Sequence, residues 1–292
     1  MTETISVIVP FYKGNQYMNQ LFSCIERNVN TLRNSEIDAK VSLCIVNDSP
    51  DIEVVIPEGK FSFDFNIITQ KKNSGIHSSR VLGVKNTTSD LILFLDQDDI
   101  VADNFFVSQL RVLKDADLVI ANAYIEAEDG TCRKLYENHI AVKKLFNINC
   151  YINSHNQIKS PGQCLIRRSI IPALWMNHVM SFNGSDDLFL WMLMYKEGVR
   201  TVYNPECLYT HRFTGENLSD AGEKMNGSSL TFTDDLLKTG YTQKEVDRFS
   251  RSRKLSGSLS DAGGIRKVQV ILKNSDLILS RAYWKIRTLI NF

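Results

Sequence analysis

The densest chemistry in the chain lies at residues 91–99, LILFLDQDD, where five apolar residues run into Asp96, Asp98 and Asp99. Carboxylates two positions apart at the end of a buried strand suit a hard divalent cation. Mg2+ commonly takes one or two carboxylates and completes its shell with substrate phosphate oxygens. An acid here also suits the cap of a helix beginning near Asp103. A second candidate is KKNSGIHSSRVLG, residues 71–83. Asn73 and Gly75 fit a tight turn, and the helix N-terminus that follows offers N–H groups to a phosphate. Arg80, two turns in, can reach a phosphate or a strand-end carboxylate; a solvated arginine beyond an ordinary loop is the plainer alternative. Asp48, in IVNDSP, follows another apolar run. Its carboxylate can accept a hydrogen bond from a nucleobase N–H, and NDSPD is equally good turn chemistry. Asp186 and Asp187 open the helical stretch DDLFLWMLMYKEG, where a carboxylate can act as general base on a hydroxyl or simply favour the helix dipole. His211, beside Arg212, is a candidate metal or phosphate ligand or a structural histidine.

The elements that must position these residues follow from periodicity. Apolar, β-branched runs of strand length recur at 5–9, 41–46, 65–69 and 91–95, separated by helical spacing at 17–33 and 78–85. Nearly continuous apolar strands alternating with helices imply a mainly parallel sheet covered on both faces, an α/β architecture of nucleotide-binding type. In such sheets ligands collect beyond the carboxyl ends of the strands. Pro10 and Tyr12, Asp48, and the acids at 96–99 all fall there. A further strand is expected at 117–123 and a helix at 186–198. Residues 215–264 are rich in Gly, Ser, Asp and Lys and read as a linker, with one short helical candidate at 244–253. A last helix is expected from 265 to 292.

Composition excludes several classes. With 43% apolar and 23% charged residues in 292, the chain is an ordinary globular protein with a sizeable core. A net charge of +1 leaves attraction to polyanions to local patches and argues against nucleic acid as a partner. The six cysteines form no CxxC pair and no compact framework, against zinc or disulfide scaffolds. MTETISVIVPFY lacks the features of a signal peptide, and no window approaches the ~20 apolar residues of a membrane span. The expected location is the cytoplasm.

Taken in order, SVIVPFYKG, IVNDSPD, NSGIHSSRVLG, LILFLDQDD, SPGQCLIRRS and GSDDLFLWM resemble the family 2 inverting glycosyltransferases of bacterial polysaccharide type, which have the GT-A fold. The matching pieces span residues 5–212. The resemblance implies a catalytic domain over 1–215, followed by a flexible segment and an amphipathic helix over 216–292. It implies that Pro10 and Tyr12 line the nucleobase and ribose and that Asp48 reads the uracil edge of a UDP-sugar. Asn73, Gly75 and Arg80 would flank the nucleotide and its diphosphate. Asp96, with Gln97 beside it, would face ribose or sugar hydroxyls, while Asp98, with Asp96 and His211, would hold Mn2+ or Mg2+. Asp187 matches the second acid of the family's ED pair, the catalytic base; Asp186 stands where Glu is commoner. Val81 and Ser79 depart from the Asn and Ala usual at those positions. The QxxRW sequence of processive synthases is absent, which implies single-sugar transfer to a glycan or lipid-linked oligosaccharide. A sugar nucleotidylyltransferase would need a Gly-rich signature that VPFYKGNQYM lacks. The remaining alternative, a degenerate transferase serving as a binding or scaffold subunit, is opposed by intact Asp96, Asp98 and Asp187.

Residues 265–292 carry six basic residues and one acid. Val268, Leu272, Leu279, Ile286 and Ile290 share one helical face, and Val270, Leu277 and Trp284 form a second stripe. The pattern fits peripheral contact with the inner face of a membrane or packing on the rest of the chain.

Overall fold

The stretch ETISVIVPF forms β1 (Glu3–Phe11), in which Ile5, Val7, Ile8 and Val9 are all 0% exposed. Burial on both faces is what a central parallel strand requires, and it explains the unbroken apolar run. In this computed structural model, which describes residues 2–127, 129–180, 183–212 and 222–290, β1 pairs in parallel with β2 (Ala39–Asn47) and β4 (Leu91–Phe94). β2 pairs in parallel with β3 (Asp64–Thr69). The remaining strands are β5 (Ile100–Val101), β6 (Leu118–Glu126), β7 (Cys132–Lys134), β8 (Cys164–Arg167) and β9 (Thr201–Arg212). The sheet runs β3-β2-β1-β4-β8-β6-β9-β5, with β7 on β6. β8 lies antiparallel to both β4 and β6, so the expected parallel sheet occupies one half and a mixed arrangement the other.

Contact clustering divides the chain into two units. The first comprises Met1–Leu135, Lys159–Phe182 and Val199–Glu216; the second comprises Tyr136–Ile158, Asn183–Gly198 and Asn217–Phe292. Each unit draws on three stretches of chain, so a linear division at residue 215 does not coincide with them.

The first unit holds the sheet with α1 (Met18–Arg33), α2 (Ile76–Lys85), α3 (Phe105–Leu113) and the short α6 (Ala173–Asn177). α1 buries Met18, Leu21, Phe22, Ile25, Val29 and Leu32, the three-to-four spacing of an amphipathic helix. α2 packs closer to the sheet than a side chain at position 83 would permit: a Cβ there would collide with Ile8. Gly83 therefore lets α2 lie on β1 and carries Arg80 toward the strand ends.

The second unit is helical: α4 (His139–Leu145), α5 (Ile148–Asn153), α7 (Asp186–Lys196), α8 (Gly222–Leu230), α9 (Thr233–Leu237), α10 (Gln243–Ser260), α11 (Gly264–Lys273) and α12 (Ser275–Ile290). Helices thus run through most of the described part of the region that composition marks as a linker. Tertiary contacts supply what composition conceals. Phe189 stacks on Phe232 at 4.6 Å, and Phe232 meets Phe249 at 5.6 Å. Thr242 and Glu245 form a capping box that starts α10, a reciprocal pairing that satisfies two helix-end donors. The single helix expected from 265 onward is two, because the buried Asn274 ends α11 and its Nδ2 donates to the Val270 carbonyl at 2.9 Å. No helix among the described residues is long and apolar enough to cross a membrane.

Candidate active site

The strand ends of β1, β2 and β4 are tied together by side chains of the candidate set. Gln97, just beyond β4, accepts from the Tyr12 backbone N–H at 3.0 Å and donates to the Tyr12 carbonyl at 3.0 Å. This reciprocal pair fixes the chain after β1 and leaves the Tyr12 side chain 49% exposed, available as a flat surface. A Cβ at Gly14 would collide with the Gln97 amide, so glycine there is what admits the clamp.

Asp48, 5% exposed, has both carboxylate oxygens engaged. Oδ1 accepts from the Ser74 N–H at 2.6 Å and from Gln70 Nε2 at 2.9 Å; Oδ2 accepts from the Gly75 N–H at 2.8 Å. Asp48 thus orders the turn that enters α2. Gly75 has φ 89°, a conformation that only glycine adopts without strain. Asn73 is exposed on the same turn. Gln70, not among the sequence candidates, bridges Asp48 to the Ser79 hydroxyl at 2.9 Å and accepts from the Ser78 hydroxyl at 3.0 Å. Its position directly after β3 was the available signal.

Arg80 is 3% exposed, and its Nη2 donates to Asp96 Oδ1 at 2.7 Å. Asp96, 30% exposed at its side chain, is thus held by a buried cation while part of its carboxylate stays open. Asp98 is different. Burial pushes its carboxyl up to about 6, and the neighbouring charges of Asp99 and Asp96 act in the same direction. Asp99 is 4% exposed and accepts from the Tyr209 hydroxyl; His211 Nδ1 lies 3.6 Å from its other oxygen. Burial raises Asp99 as well, opposed by His211. Asp99, one of the three strand-end acids, and His211 are thus joined by Tyr209, which was not among the sequence candidates. Period-two alternation along β9, which sends Tyr209 and His211 to one face, could have found Tyr209.

The acids suit a divalent cation. Asp98 sits in a partly desolvated place where like charges disfavour its ionised form, and a dication reverses that balance. Among the described residues no three His, Cys, Asp or Glu side chains converge as a closed cage. An open set of one or two carboxylates is the arrangement for Mg2+, which draws its other oxygens from phosphates.

Asp187 belongs to the second unit. The chain enters α7 through two positive φ angles, 100° at Gly184 and 62° at Ser185, the second unusual for a residue with a side chain. The Ser228 hydroxyl holds this entry by donating to the Gly184 carbonyl at 2.5 Å. Asp187 Oδ2 accepts from Asn156 Nδ2 at 2.6 Å, and Oδ1 accepts from the Leu188 N–H at 2.7 Å. Asp186 is 3% exposed, whereas Asp187 is half-buried. Asn156 carries no motif and was not among the candidates.

Comparison with known proteins adds three findings. A family model described as "Glycosyl transferase family 2" matches residues 6–175. The "Minor teichoic acid biosynthesis protein GgaB" of Bacillus subtilis is 35% identical over 109 residues, covering 36% of this chain and 11% of that protein. The chain spans less than half the length of the curated relatives it matches. Among solved structures, Staphylococcus aureus TarS 1-349 in complex with UDP-GlcNAc superposes with TM-score 0.56 at 11% identity, over 95% of this chain and 81% of that one. The mannosyltransferase PcManGT of Pyrobaculum calidifontis, in complex with GDP-Man and Mn2+, gives 0.52 at 10% identity, over 100% and 84%. At these identities the likeness is one of fold, and it agrees with the GT-A architecture that the family resemblance implies.

Proposed function

The chain belongs to glycosyl transferase family 2, and from that premise we propose that it moves one sugar from a UDP-sugar to a hydroxyl of a glycan or lipid-linked acceptor, inverting the anomeric centre. The observation that carries this reading is Asp98, whose carboxyl is raised to about 6 at the end of a buried strand in a chain of this family. Neighbours of the same fold solved with UDP-GlcNAc and with GDP-Man and Mn2+ support a nucleotide-sugar donor and a dication. The relation to a teichoic acid protein supports an acceptor in cell-surface polymer synthesis.

In this proposal Tyr12 and Pro10 flank the base and ribose. Asp48 keeps the turn at Gly75 in shape for the nucleotide, and its carboxylate or adjoining backbone meets the uracil edge. Arg80 anchors one oxygen of Asp96, leaving the other for ribose or sugar hydroxyls. Asp98, with Asp96 and His211 nearby, would hold Mg2+ or Mn2+, which when bound offsets the negative charge of the diphosphate. Asp187 removes the proton from the acceptor hydroxyl as that oxygen attacks the anomeric carbon. The bond to the diphosphate breaks, and UDP leaves with the electron pair. A panel of UDP-sugars, with GDP-mannose as control, should show Mn2+-dependent UDP release for at least one donor. Donor binding without release from any member would favour the scaffold alternative instead.

We also propose that the described part of residues 265–292 lies against a lipid surface. Val268, Leu272, Leu279, Ile286 and Ile290 are all exposed, amid basic Arg266, Lys267, Lys273, Lys285 and Arg287. Of the second stripe, Leu277 is 0% exposed, while Val270 and Trp284 are half-buried. The chain should float with phosphatidylglycerol vesicles, and the triple variant Leu272→Gln, Leu279→Gln, Ile286→Gln should stay at the bottom of the gradient. Wild-type protein remaining at the bottom would remove the idea.

A further inference from the structure

The second unit contains a cavity of about 580 Å3, within the range of small-molecule sites. Its lining includes Lys144 of α4, Arg253 of α10, Arg281 and Lys285 of α12, with His155 and Trp284, and contains no carboxylate among the described residues. Elsewhere in this unit cations find acids: Arg251 meets Asp276 at 2.9 Å, Lys196 meets Glu245 at 3.4 Å and Lys238 meets Asp235 at 2.6 Å. The cavity departs from that pattern.

Arg253 is 6% exposed. Its Nη1 donates to the Ser154 carbonyl at 2.8 Å, and its Nη2 donates to the Tyr151 carbonyl. Its Nε has no acceptor among the described residues. Arg281 donates through Nε to the Asn153 carbonyl at 2.9 Å and through Nη2 to the Ser252 carbonyl at 3.0 Å. Every one of these acceptors is neutral. Burial, reinforced by the Arg281 charge, pushes the Arg253 guanidinium down to about 9, and burial lowers Arg281 as well.

A purely architectural role explains part of this. Tyr151, Asn153 and Ser154 lie at the C-terminal end of α5, where carbonyls lack helical partners, and the two arginines satisfy them. That role does not account for Lys144 of α4 and Lys285 of α12, whose ammonium groups make no hydrogen bond or ion pair among the described residues. Nor does it explain why four cations border a hollow without one acid among the described residues. Converging Lys and Arg donors match the several oxygens of a phosphate better than the two of a carboxylate. The half-buried Trp284 supplies a flat apolar wall beside them, suited to a sugar or polyol.

We propose that this cavity binds a phosphate ester carried by the acceptor, with Lys144, Lys285 and Arg281 holding the phosphate and Trp284 covering the adjoining carbohydrate or polyol. The role as acceptor site rests on the transferase reading; the phosphate site itself does not. Its source is either a soluble phosphoglycan or the headgroup of a lipid.

Calorimetry on the full chain with glycerol 3-phosphate, against sodium chloride of equal ionic strength, should show saturable binding. The double variant Lys144→Gln, Lys285→Gln, with Lys285 exposed and Lys144 half-buried, should keep the wild-type melting temperature and weaken that binding at least about tenfold, as expected when charged hydrogen bonds are lost. Repeating the titration with phosphatidylglycerol vesicles separates the sources: competition assigns the site to a lipid headgroup, and its absence to a soluble phosphoglycan. No binding to wild type, or equal binding to the variant, would overturn the proposal. UDP release by the wild-type chain is measured independently. Glycerol 3-phosphate binding in a chain that releases no UDP from any donor would overturn the acceptor role and leave the phosphate site standing.

Discussion

Asp187→Asn should lower turnover by about 10²–10⁴-fold, the range that general-base catalysis supplies, while leaving donor affinity unchanged. The substitution preserves size and the ability to accept the Leu188 N–H bond at 2.7 Å, so the entry to α7 stays intact. What disappears is the capacity to take a proton. The new amide nitrogen loses the bond that Asn156 Nδ2 donates at 2.6 Å, because Asn156 Oδ1 already accepts from the Ile158 N–H at 3.2 Å, a cost read in the melting temperature and not in the chemical step. Turnover and calorimetric donor affinity measured on the same preparation separate the two effects. A variant that kept most of its turnover would show that the proton goes elsewhere. A variant that lost donor binding in proportion to turnover would make Asp187 a binding residue instead.

Asp98→Asn should remove the Mn2+ dependence of donor binding and, in the metal-free protein, raise the melting temperature. The two effects have one cause. Burial and the charges of Asp99 and Asp96 hold the Asp98 carboxyl at about 6, above its ordinary value of 3.8. A group raised in the folded state adds stability while protonated, below about pH 4, and loses that contribution as pH rises through about 6. At neutral pH its ionised form therefore works against folding. With discount for its partial exposure, the amide should gain on the order of 1 kcal/mol, or a few degrees in melting temperature. Scanning calorimetry without metal reads the stability. Donor titration with and without Mn2+ reads the function. A drop in melting temperature would mean that the carboxylate is held by interactions stronger than its desolvation. Unchanged Mn2+ dependence would move the cation away from residues 96–98. Asp96 is a poorer probe, because removing it also breaks the ion pair with the buried Arg80.

Much of the first unit was legible from local pattern. The runs at 5–9, 41–46, 65–69 and 91–95 correspond to β1, β2, β3 and β4, and the spacing at 17–33 to α1. The runs of β1, β2 and β4 are buried, whereas β3 is an exposed edge strand; a buried apolar run reads the same in any sheet, and the polar residues beyond it mark the ligand edge. That logic reached Tyr12, Asp48 and Asp96 to Asp98 without knowledge of which strands adjoin. It did not reach the partners. Asp48 finds its donors 22 to 27 positions away and Asp99 its tyrosine 110 away. Such pairings leave no periodic trace.

The helical unit was less legible for the same reason. Residues 243–260 are poor in apolar side chains, yet α10 forms because Thr242 caps it and because Val246, Phe249 and Leu255 are buried. The amphipathic pattern beyond 265 correctly implied helix, while the break at Asn274 came from one side chain satisfying a carbonyl one turn back. The chain's residue order alone determined the alternating α/β layout, the acidic strand end and the family motifs, since each depends on neighbours within a few positions. Tertiary structure alone decided which carboxylates are already occupied, which remains electrostatically uncomfortable, and that four cations from three helices border one hollow. Those properties depend on desolvation and on distances between side chains far apart in sequence, and both exist only once the chain has folded.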